Sequence, residues 1–466
     1  MTAMPAPEIS PASPGVVFSR RSPISTIARL IRNPLDAIPP ETFIHPLVHV
    51  EFNGVRRLYI TDPALIQEAL VKNSASLGKG DEVRRALGPA LGDGLLTAET
   101  PSWKWQRQAV APAFQWERLK GFLPAMIDAA EKRRDLWALL PHRQLDIGHE
   151  MMQTTFDIIV ETMMSGRENI DVAAVERSVS DYLGPSGWMF ALGVLKAPEW
   201  VPYPGKSRAG AAVAYLRGVM RDMLERRRAS GEDRKDLVGM MLAAHDPETG
   251  RGMDDENIID NLMTFITAGH ETTALGLAWT FHLLAAHPDV EQKICEELHR
   301  VVGNGNVQPE HIEKLTFLKQ VFNETMRLYP PAPIIVRNVE QPFDLGGHHL
   351  PKGMVLMIPI YAIHRHKLLW EAPERFDPSR FAPEKAKERH RYAFMPFGAG
   401  PRICIGSAFA TMEAVAILAV LLQRFRLANP GRRPAEPLMR ITLRPRNPMM
   451  MELADRPPFC SPLEPA

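Results

Sequence analysis

One long helical segment constrains the fold of this chain more than any other feature of its sequence. Apolar residues recur at helical spacing from about Asp255 to Ala286, acidic residues stand at the start, and Pro288 follows the end. A helix of that length spans on the order of 48 Å at about 1.5 Å per residue, enough to cross the whole molecule. The segment is apolar enough to be buried, so we expect the rest of the chain to pack around it.

The remaining patterns predict a mainly α-helical protein with small β-sheets (α+β). Helical periodicity recurs at residues 103–123, 144–164, 172–182, 210–229, 235–244, 312–328 and 407–425. Residues 47–51 and 56–60 flank Asn53-Gly54, a pair that favours the tight turn of a β-hairpin. Further short strands are expected at residues 334–336, 343–345 and 355–360, with a closing hairpin formed by residues 441–443 and 449–453.

The composition excludes several classes of protein. The chain has 466 residues, 45% of them hydrophobic and 23% charged, as in ordinary globular proteins. A formal net charge of +1 provides no global field for binding nucleic acid or an anionic membrane. No run approaches about 18 uninterrupted apolar residues, and the N-terminus lacks the pattern of a secretory signal. We therefore expect a cytoplasmic protein without a membrane anchor, in which a disordered lead (1–20) and a flexible tail (456–466) flank one catalytic domain (21–455).

Glycine and proline are concentrated in residues 183–206, which are expected to form an irregular loop. Trp188, Met189 and Phe190 give this loop an apolar character. The loop is interpreted either as a lid or entrance for an apolar ligand, or as a surface loop anchored by its aromatic side chains.

The centre of the long helical segment carries a polar run, AGHETT at residues 268–273. Such a run conflicts with burial, and conflicts of this kind are expected at functional sites. Ala268 and Thr272 lie four residues apart on one helix face, so both can contact the same ligand. Gly269 is expected to loosen the helix and make room for oxygen or water. The alternative for a threonine here is a hydrogen bond back to its own helix, which we favour at Thr273, whereas we favour a functional role at Thr272.

The segment FGAGPRICIG at residues 397–406 places Cys404 among glycines just before a helix. Gly400 and Gly406 on either side allow the backbone to approach a flat cofactor closely. Free N–H groups and the dipole at the start of the helix favour a thiolate. The other two cysteines, Cys295 and Cys460, are too distant to suggest a disulfide scaffold, which fits a reducing compartment. The alternative for an isolated cysteine is a buried free thiol.

This ten-residue segment resembles the haem-binding signature of the cytochrome P-450 superfamily, F-x-x-G-x-R-x-C-x-G, at all of its fixed positions. A match of that length favours a ligand over a buried free thiol. The resemblance implies that Cys404 is the proximal thiolate ligand of a haem iron, the ligation that cytochromes P-450 use. It also implies that Phe397 packs beside Cys404 and that Arg402 pairs with a haem propionate.

The polar run in the long helix is similar to the family's [AG]-G-x-[DE]-T-[TS] segment. That similarity implies that Thr272 hydrogen-bonds dioxygen and passes protons to it, while Glu271 relays protons from solvent. Glu324-Thr325-Met326-Arg327 resembles the family's E-x-x-R helix, and Arg375 would be the third member of its network. The resemblance implies that this network is structural and holds the core around the haem.

Trp103 and Arg107 resemble the family's W-x-x-x-R element on an early helix, and the resemblance implies that both reach a haem propionate. Arg337 occupies a place where many members carry another propionate-binding arginine. The alternative for any single arginine is a solvated surface position. The matches run from Trp103 to Gly406 in the family's order, so the resemblance covers most of the chain.

The resemblance to the cytochrome P-450 superfamily implies both a fold and a reaction. The expected fold is the family's helical prism enclosing haem b, and the expected reaction inserts one atom of O2 into a small hydrophobic substrate by hydroxylation or epoxidation. Because the sequence shows no flavin or iron–sulfur segment, we expect electrons from a ferredoxin with its reductase or from a flavoprotein reductase. A monomer is expected.

Three alternatives remain open from the sequence. A peroxygenase or haem-thiolate isomerase of the same fold would not need the Glu271-Thr272 pair. A non-catalytic haem sensor or carrier would leave the polar centre of the long helix unexplained. A helical scaffold without haem would leave the Cys404 segment unexplained.

Overall fold

Helices dominate the chain in the computed structural model, which describes residues 16–19, 22–163, 170–231, 236–429, 431 and 435–456. The helices are α1 (Pro23–Arg32), α2 (Pro63–Gln67), α3 (Asp81–Leu91), α4 (Ser102–Val110), α5 (Trp116–Ala138), α6 (Ile147–Met163), α7 (Val172–Leu183), α8 (Ser186–Val194), α9 (Lys206–Ser230), α10 (Leu237–Ala243), α11 (Asp255–Ala286), α12 (Pro288–Val301), α13 (Pro309–Ile312), α14 (Thr316–Leu328), α15 (Ile360–Ile363), α16 (Pro383–Glu388) and α17 (Ser407–Arg424).

The central helix is α11, and its bounds are those predicted from the sequence. Asp254 caps its N-terminus by accepting a hydrogen bond of 2.8 Å from the N–H of Asn257. Trp279 and Phe281 lie fully buried in the larger of two apolar cores, together with side chains of α5, α6, α14 and α17. The predicted packing of the chain around this helix is therefore confirmed.

The strands form small sheets, as predicted. They are β1 (Val16–Phe18), β2 (Leu47–Phe52), β3 (Val55–Ile60), β4 (Leu77–Gly78), β5 (Gln144–Asp146), β6 (Ile335–Val339), β7 (Phe343–Leu345), β8 (His348–Leu350), β9 (Val355–Ile358), β10 (Phe425–Ala428), β11 (Pro437–Met439), β12 (Leu443–Pro445) and β13 (Met450–Asp455). The largest sheet has the order β1-β2-β3-β9-β6-β4 and covers the smaller apolar core. The β2–β3 hairpin turns at Asn53 and Gly54, which adopt φ values of 52° and 69°.

Three sequence predictions about local structure are wrong. Residues 186–194 of the predicted loop form α8, which packs against α1 through Gly187, where a Cβ would lie 2.6 Å from the carbonyl oxygen of Ile31. The closing hairpin does not form, because β12 pairs with β11 while β13 pairs with β10 and β5. Val16–Phe18, inside the predicted lead, pairs in parallel with β2. The rest of that lead and nearly all of the predicted tail lie outside the described residues.

α17 follows the Cys404 loop and is the one helix of the described chain that is long and apolar enough to cross a membrane. About 67% of this helix is buried inside the protein, and its apolar side chains line the larger core. The length and apolar composition of α17 are therefore explained by its position in the core of the protein.

The Glu324–Arg327 network is structural in its geometry. Both side chains are fully buried, and Arg327 also donates to the carbonyl oxygens of His364 and Pro373, each at 2.7 Å. Arg375 does not supply the third side chain: its guanidinium pairs with Asp377 at the surface, and only its carbonyl oxygen contacts Arg327. The side chain that approaches Glu324 is Arg380, at an ion-pair distance of 3.5 Å.

Candidate active site

The loop that carries Cys404 turns back on itself before α17 begins. The N–H of Cys404 donates to the carbonyl oxygen of Phe397 at 2.9 Å. Gly398 and Gly400 have φ values of +77° and +74°, and a Cβ on Gly400 would clash with the carbonyl oxygen of Leu70. These constraints hold Cys404 two residues before the N-cap residue of α17.

The Cys404 thiol has accessible surface although protein atoms surround it on most sides. Burial raises the pKa of Cys404, while the N–H of Gly406 and the charge of Arg107 oppose that rise. The helix start alone therefore does not produce the predicted thiolate, and a cation bound to the sulfur would be needed to stabilise it.

Gly406 leaves room beside that sulfur. Its φ of −86° is open to any residue, and a Cβ there would lie 4.0 Å from the sulfur of Cys404 and 3.8 Å from the ring of Phe114. Neither backbone strain nor contact with protein atoms requires a glycine at this position. A flat cofactor lying against the loop would explain why position 406 carries no side chain, whereas the contacts with protein atoms do not explain it.

Phe114 joins the Cys404 loop to the central helix. Its ring stacks on Phe265 of α11, with ring centroids 5.8 Å apart. Gly406 and Phe265 therefore both lie close to the Phe114 side chain. Phe114 thus places the Cys404 loop near the first half of α11.

Thr272 and Ala268 are both partly accessible on α11, whereas Thr273 is buried. The hydroxyl of Thr272 donates to the carbonyl oxygen of Ala268 at 2.7 Å, and the corresponding bond from Thr273 to Gly269 is longer, at 3.4 Å. The bond back to the helix, which we favoured at Thr273, is thus shorter at Thr272. It fixes the Thr272 hydroxyl with its lone pairs available to a ligand, and the hydroxyl proton becomes available only when the bond breaks.

Gly269 does not loosen the central helix. α11 is continuous through this position, and a Cβ on Gly269 would clash with the side chain of Ile159 on α6. Close packing of α6 on α11 therefore accounts for the glycine. The hydroxyl of Thr155 on α6 reinforces this contact by donating to the carbonyl oxygen of His270 at 2.9 Å.

Glu271 is buried in the middle of α11 but does not face bulk solvent directly. The hydroxyl of Thr442 donates to its Oε1 at 2.7 Å, and Arg444 donates to the same oxygen in a very short ion pair. Arg444 retains partial access to solvent, with 20% of its side chain exposed against 2% for Glu271. Glu271 therefore lies between the interior of the protein and a surface arginine.

A group of cations collects beside the Cys404 loop. Burial lowers the pKa of Arg337 to about 10, and the charge of Arg402 lowers it further while Glu99 opposes the shift. Burial also holds the pKa of Lys79 well below its usual range, again with Arg337 and Arg402 adding to the effect. Both shifts come first from the removal of these cations from water and then from their mutual repulsion, so they mark a group of buried positive charges.

Trp103 and Arg107 lie in the same region. The Arg402 guanidinium lies 4.4 Å from the centre of the Trp103 ring, and Arg107 lies 5.8 Å from it. Arg402 also donates to the carbonyl oxygen of Ala98 at 2.7 Å. The structure therefore brings together the arginines and the tryptophan that the sequence singles out for propionate binding.

The residues present fit a haem. Lys79, Arg337, Arg402 and Arg107 are four cationic side chains, and Glu99 is the carboxylate that acts on the first three in the described part of the chain. Cations therefore outnumber carboxylates here, which suits the binding of the anionic propionates of a haem. The sulfur of Cys404 is of the kind that binds iron in haem-thiolate proteins.

Sequence reasoning missed several residues of this site. Lys79 lies in the sequence Gly78-Lys79-Gly80, and the flanking glycines were a signal that the backbone is crowded there. A Cβ on Gly78 would lie 2.9 Å from Glu340, and Gly80 has a φ of +86°. Arg444 has no comparable signal, because nothing in its local sequence points to Glu271.

Comparison with known proteins identifies a large set of relatives. The family model described as Cytochrome P450 matches residues 41–452. The chain is 34% identical to cyclooctat-9-en-7-ol 5-monooxygenase of Streptomyces melanosporofaciens, over 85% of this chain and 86% of that protein. It is 32% identical to a cytokinin hydroxylase of Arabidopsis thaliana, over 85% of this chain and 78% of that protein. A crystal structure of the cytochrome P450DA heme domain matches it with a TM-score of 0.78 and 27% identity, covering 89% of this chain and 90% of that one.

Proposed function

Because this chain belongs to the cytochrome P450 family, we propose that Cys404, Thr272 and Glu271 carry the monooxygenase reaction of that family. The protein is an oxidoreductase that inserts one oxygen atom into a hydrophobic organic substrate, with electrons from a redox partner. The fold and the activity predicted from the sequence are thereby confirmed.

The observation that carries the residue assignment is the setting of Cys404. Cys404 is an exposed residue on a loop that lies close to Phe114, which stacks on Phe265 of α11, and the cations Lys79, Arg337, Arg402 and Arg107 beside the loop outnumber the carboxylate Glu99. We propose that Cys404 binds the iron of haem b, with Phe397 and Gly406 against one face. Arg402, Arg337, Arg107 and Trp103 would hold the propionates, with Lys79 added to the set predicted from the sequence. When bound, the haem supplies the iron at which dioxygen is activated.

Thr272 and Glu271 would manage protons. The Thr272 hydroxyl is positioned by its bond to Ala268, and its lone pairs can accept a hydrogen bond from a protonated ligand or water. When the bond to Ala268 breaks, the same hydroxyl can donate. Glu271, one residue away, can resupply the proton from the solvent side. A peroxygenase or isomerase of the same fold would not need this pair.

We also propose a substrate class and redox partners for this protein. A relative is named as a monooxygenase of cyclooctat-9-en-7-ol, which supports an apolar substrate for this chain as well. A ferredoxin with its reductase, or a flavoprotein reductase, would supply the electrons. The chain spans about a third of a bifunctional relative from Bacillus subtilis whose name includes an NADPH–P450 reductase, which supports a flavoprotein as one source. We propose a cytoplasmic monomer with a single catalytic domain.

A spectrum tests the ligand assignment. The reduced, carbon monoxide-bound protein should show the red-shifted Soret band of thiolate ligation, and Cys404→Ser should abolish that band. Cys460→Ser, which replaces a cysteine elsewhere in the sequence, should leave it unchanged. Survival of the band in Cys404→Ser would show that another residue binds the iron.

A further inference from the structure

A surface cleft opens where three segments that are distant in sequence meet. They are the end of α1 with the residues that follow it, α15, and the hairpin formed by β11 and β12. The volume of the cleft, about 430 Å³, is within the range of small-molecule binding sites, about 300–1,000 Å³. The residues that line it include none of those assigned above to the haem or to proton transfer. The cleft is therefore separate from the proposed active site.

Asn33 joins two walls of this cleft. Its Oδ1 accepts from the N–H of Met439 at 2.9 Å, and its Nδ2 donates to the carbonyl oxygen of Pro437 at 3.3 Å. The remaining capacity of the amide is used after α1, by the N–H of Leu35 and a carboxylate oxygen of Asp36. Asn33 therefore holds the hairpin against the N-terminal segment and has no hydrogen bond left for a ligand.

Two aromatic side chains form another part of the lining. The rings of Phe43 and Tyr361 meet edge to face, with centroids 6.3 Å apart and an interplanar angle of 86°. The guanidinium of Arg365 lies 3.9 Å from the centre of the Tyr361 ring and restricts it further. Both aromatic side chains are half-buried, so they offer a rigid apolar wall to a flat ligand.

The hydroxyl of Tyr361 has no hydrogen-bond partner among the described residues, yet it is not a buried polar atom. Burial raises the pKa of Tyr361, although the charge of Arg365 opposes that rise, and the charge of Asp36, which also lines the cleft, adds to it. The hydroxyl therefore stays protonated at neutral pH and can donate a hydrogen bond into the cleft.

Of the four charged groups at the cleft, the two carboxylates have partners and the two guanidinium groups have donors to spare. Glu436 accepts from the Nε of Arg446 at 2.8 Å, and Asp36 accepts from Asn33. The other nitrogens of Arg446 and the exposed guanidinium of Arg32 donate to no acceptor in the described chain. The unused capacity of the cleft is therefore an arginine pair and a phenol, a set that suits a carboxylate.

We propose that the cleft binds a small aromatic carboxylate, at a site separate from the haem. The ring of the ligand packs against Phe43, and its carboxylate accepts hydrogen bonds from the Tyr361 hydroxyl and the Arg32 guanidinium. Arg446 reaches the same carboxylate from the hairpin, with the nitrogens that Glu436 leaves free. Because Arg32 and Arg446 belong to different walls, the bound ligand also ties the hairpin to the N-terminal segment.

Fluorine NMR of 4-fluorobenzoate with the haem-loaded protein tests the site. Saturable binding in the millimolar range is expected, because the ligand is small and the cleft is open to solvent. The Soret band should not move, since the probe lies away from the haem. Two analogues test the chemistry: 4-fluorobenzyl alcohol lacks the carboxylate, and a fluorinated cyclohexanecarboxylate lacks the flat ring. Each should bind about tenfold more weakly than 4-fluorobenzoate.

Three substitutions remove one contact each. Tyr361→Phe removes only the hydroxyl, Arg32→Gln removes an exposed charge, and Phe43→Leu removes the ring. The first two should weaken binding of the probe by about tenfold, and the third should weaken it by less. Tyr215→Phe and Arg84→Gln are the matched controls, because both positions are exposed outside the cleft, and they should bind the probe as the parent does.

Hydrogen exchange provides a readout that does not depend on the signal of the probe. At saturating 4-fluorobenzoate the N–H of Met439 should exchange more slowly, because opening of its hydrogen bond to Asn33 then also requires loss of the ligand. Amides of the β2–β3 hairpin, which does not line the cleft, should exchange at the same rate with and without the probe. Unchanged exchange at Met439 would show that the ligand does not tie the two walls together.

The binding measurements can also overturn the proposal. Absence of saturable binding up to about 10 mM would mean that the cleft takes no such ligand. Equal affinity in the parent, Tyr361→Phe and Arg32→Gln would place the probe elsewhere on the protein, and a shifted Soret band would place it at the haem. Tighter binding of 4-fluorobenzylamine than of 4-fluorobenzoate would show that Asp36 and Glu436, rather than the arginines, select the ligand.

Discussion

The guanidinium of Arg327 binds the carboxylate of Glu324 through two hydrogen bonds of 2.7 Å and 2.8 Å, and neither side chain has any exposed surface. Removal of one partner from such a pair leaves a buried charge without compensation, which costs about 3–5 kcal/mol. Arg327→Lys keeps the charge but loses the planar fork, so the free energy of unfolding should fall by several kcal/mol in a denaturant titration.

Arg375→Lys is the control for that substitution. The Arg375 side chain is 68% exposed and pairs with Asp377, a contact typical of surface ion pairs worth about 0–1 kcal/mol. The unfolding free energy of the Arg375→Lys variant should therefore stay within about 1 kcal/mol of the parent value. Equal losses in both variants would show that the buried network does not hold the core.

Thr272→Ala should uncouple oxygen consumption from product formation. Its hydroxyl is the one held at 2.7 Å on the accessible face of α11, so the variant loses the positioned donor and acceptor. Product per NADPH should fall about tenfold or more, with release of hydrogen peroxide. Thr272→Ser keeps the hydroxyl and should retain coupling, and Thr273→Ala should change it little. Unchanged coupling in Thr272→Ala would remove Thr272 from proton delivery.

Lys79→Met should have opposite effects on the haem-free and haem-loaded proteins. Without haem, burial and the charges of Arg337 and Arg402 disfavour the Lys79 cation, so its removal should stabilise the apoprotein. If Lys79 binds a propionate as proposed, the haem-loaded variant loses a charged hydrogen bond worth about 1.5–3 kcal/mol, and haem should transfer faster to an acceptor protein. Lys104→Met, at an exposed position on α4, should change neither quantity. Slower haem loss in Lys79→Met would contradict the propionate assignment.

Glu413 on α17 should make stability depend on pH. Burial raises the pKa of Glu413 well above its usual range, and Thr273 opposes the shift without forming a hydrogen bond of good geometry. A carboxyl of this kind stabilises the fold below its unfolded pKa of about 4.3, and that stability is lost as the pH rises through the higher folded value. Glu413→Gln should therefore raise the free energy of unfolding relative to the parent at pH 7.

The difference between Glu413→Gln and the parent should shrink as the pH approaches 4, where both side chains are neutral. Glu384→Gln, at an exposed position on α16, should be neutral across the range. A Glu413→Gln variant that is less stable than the parent at pH 7 would mean that the carboxylate is ionised and paired.

Features that rest on local chemistry were determined by the sequence alone. The bounds of α11 follow from a capping aspartate at one end and a proline at the other, and the β2–β3 turn follows from the tolerance of Asn53 and Gly54 for positive φ. The Cys404 loop likewise depends on glycine φ angles and on hydrogen bonds within ten residues. Each of these interactions links residues that are close in sequence, so each leaves a pattern that can be read there.

Contacts between distant segments were decided only by the tertiary structure. Arg444 reaches Glu271 across 173 positions of sequence, and Arg380 rather than Arg375 approaches Glu324. Neither pairing has a local pattern, because any surface arginine has the same sequence signature until packing brings it to a carboxylate. β12 likewise pairs with β11 rather than β13, and the backbone of its Leu443 is hydrogen-bonded to Trp279 and Pro331, which are both distant in sequence. The sequence thus predicted candidate groups for the site, and the long-range packing decided which of them touch.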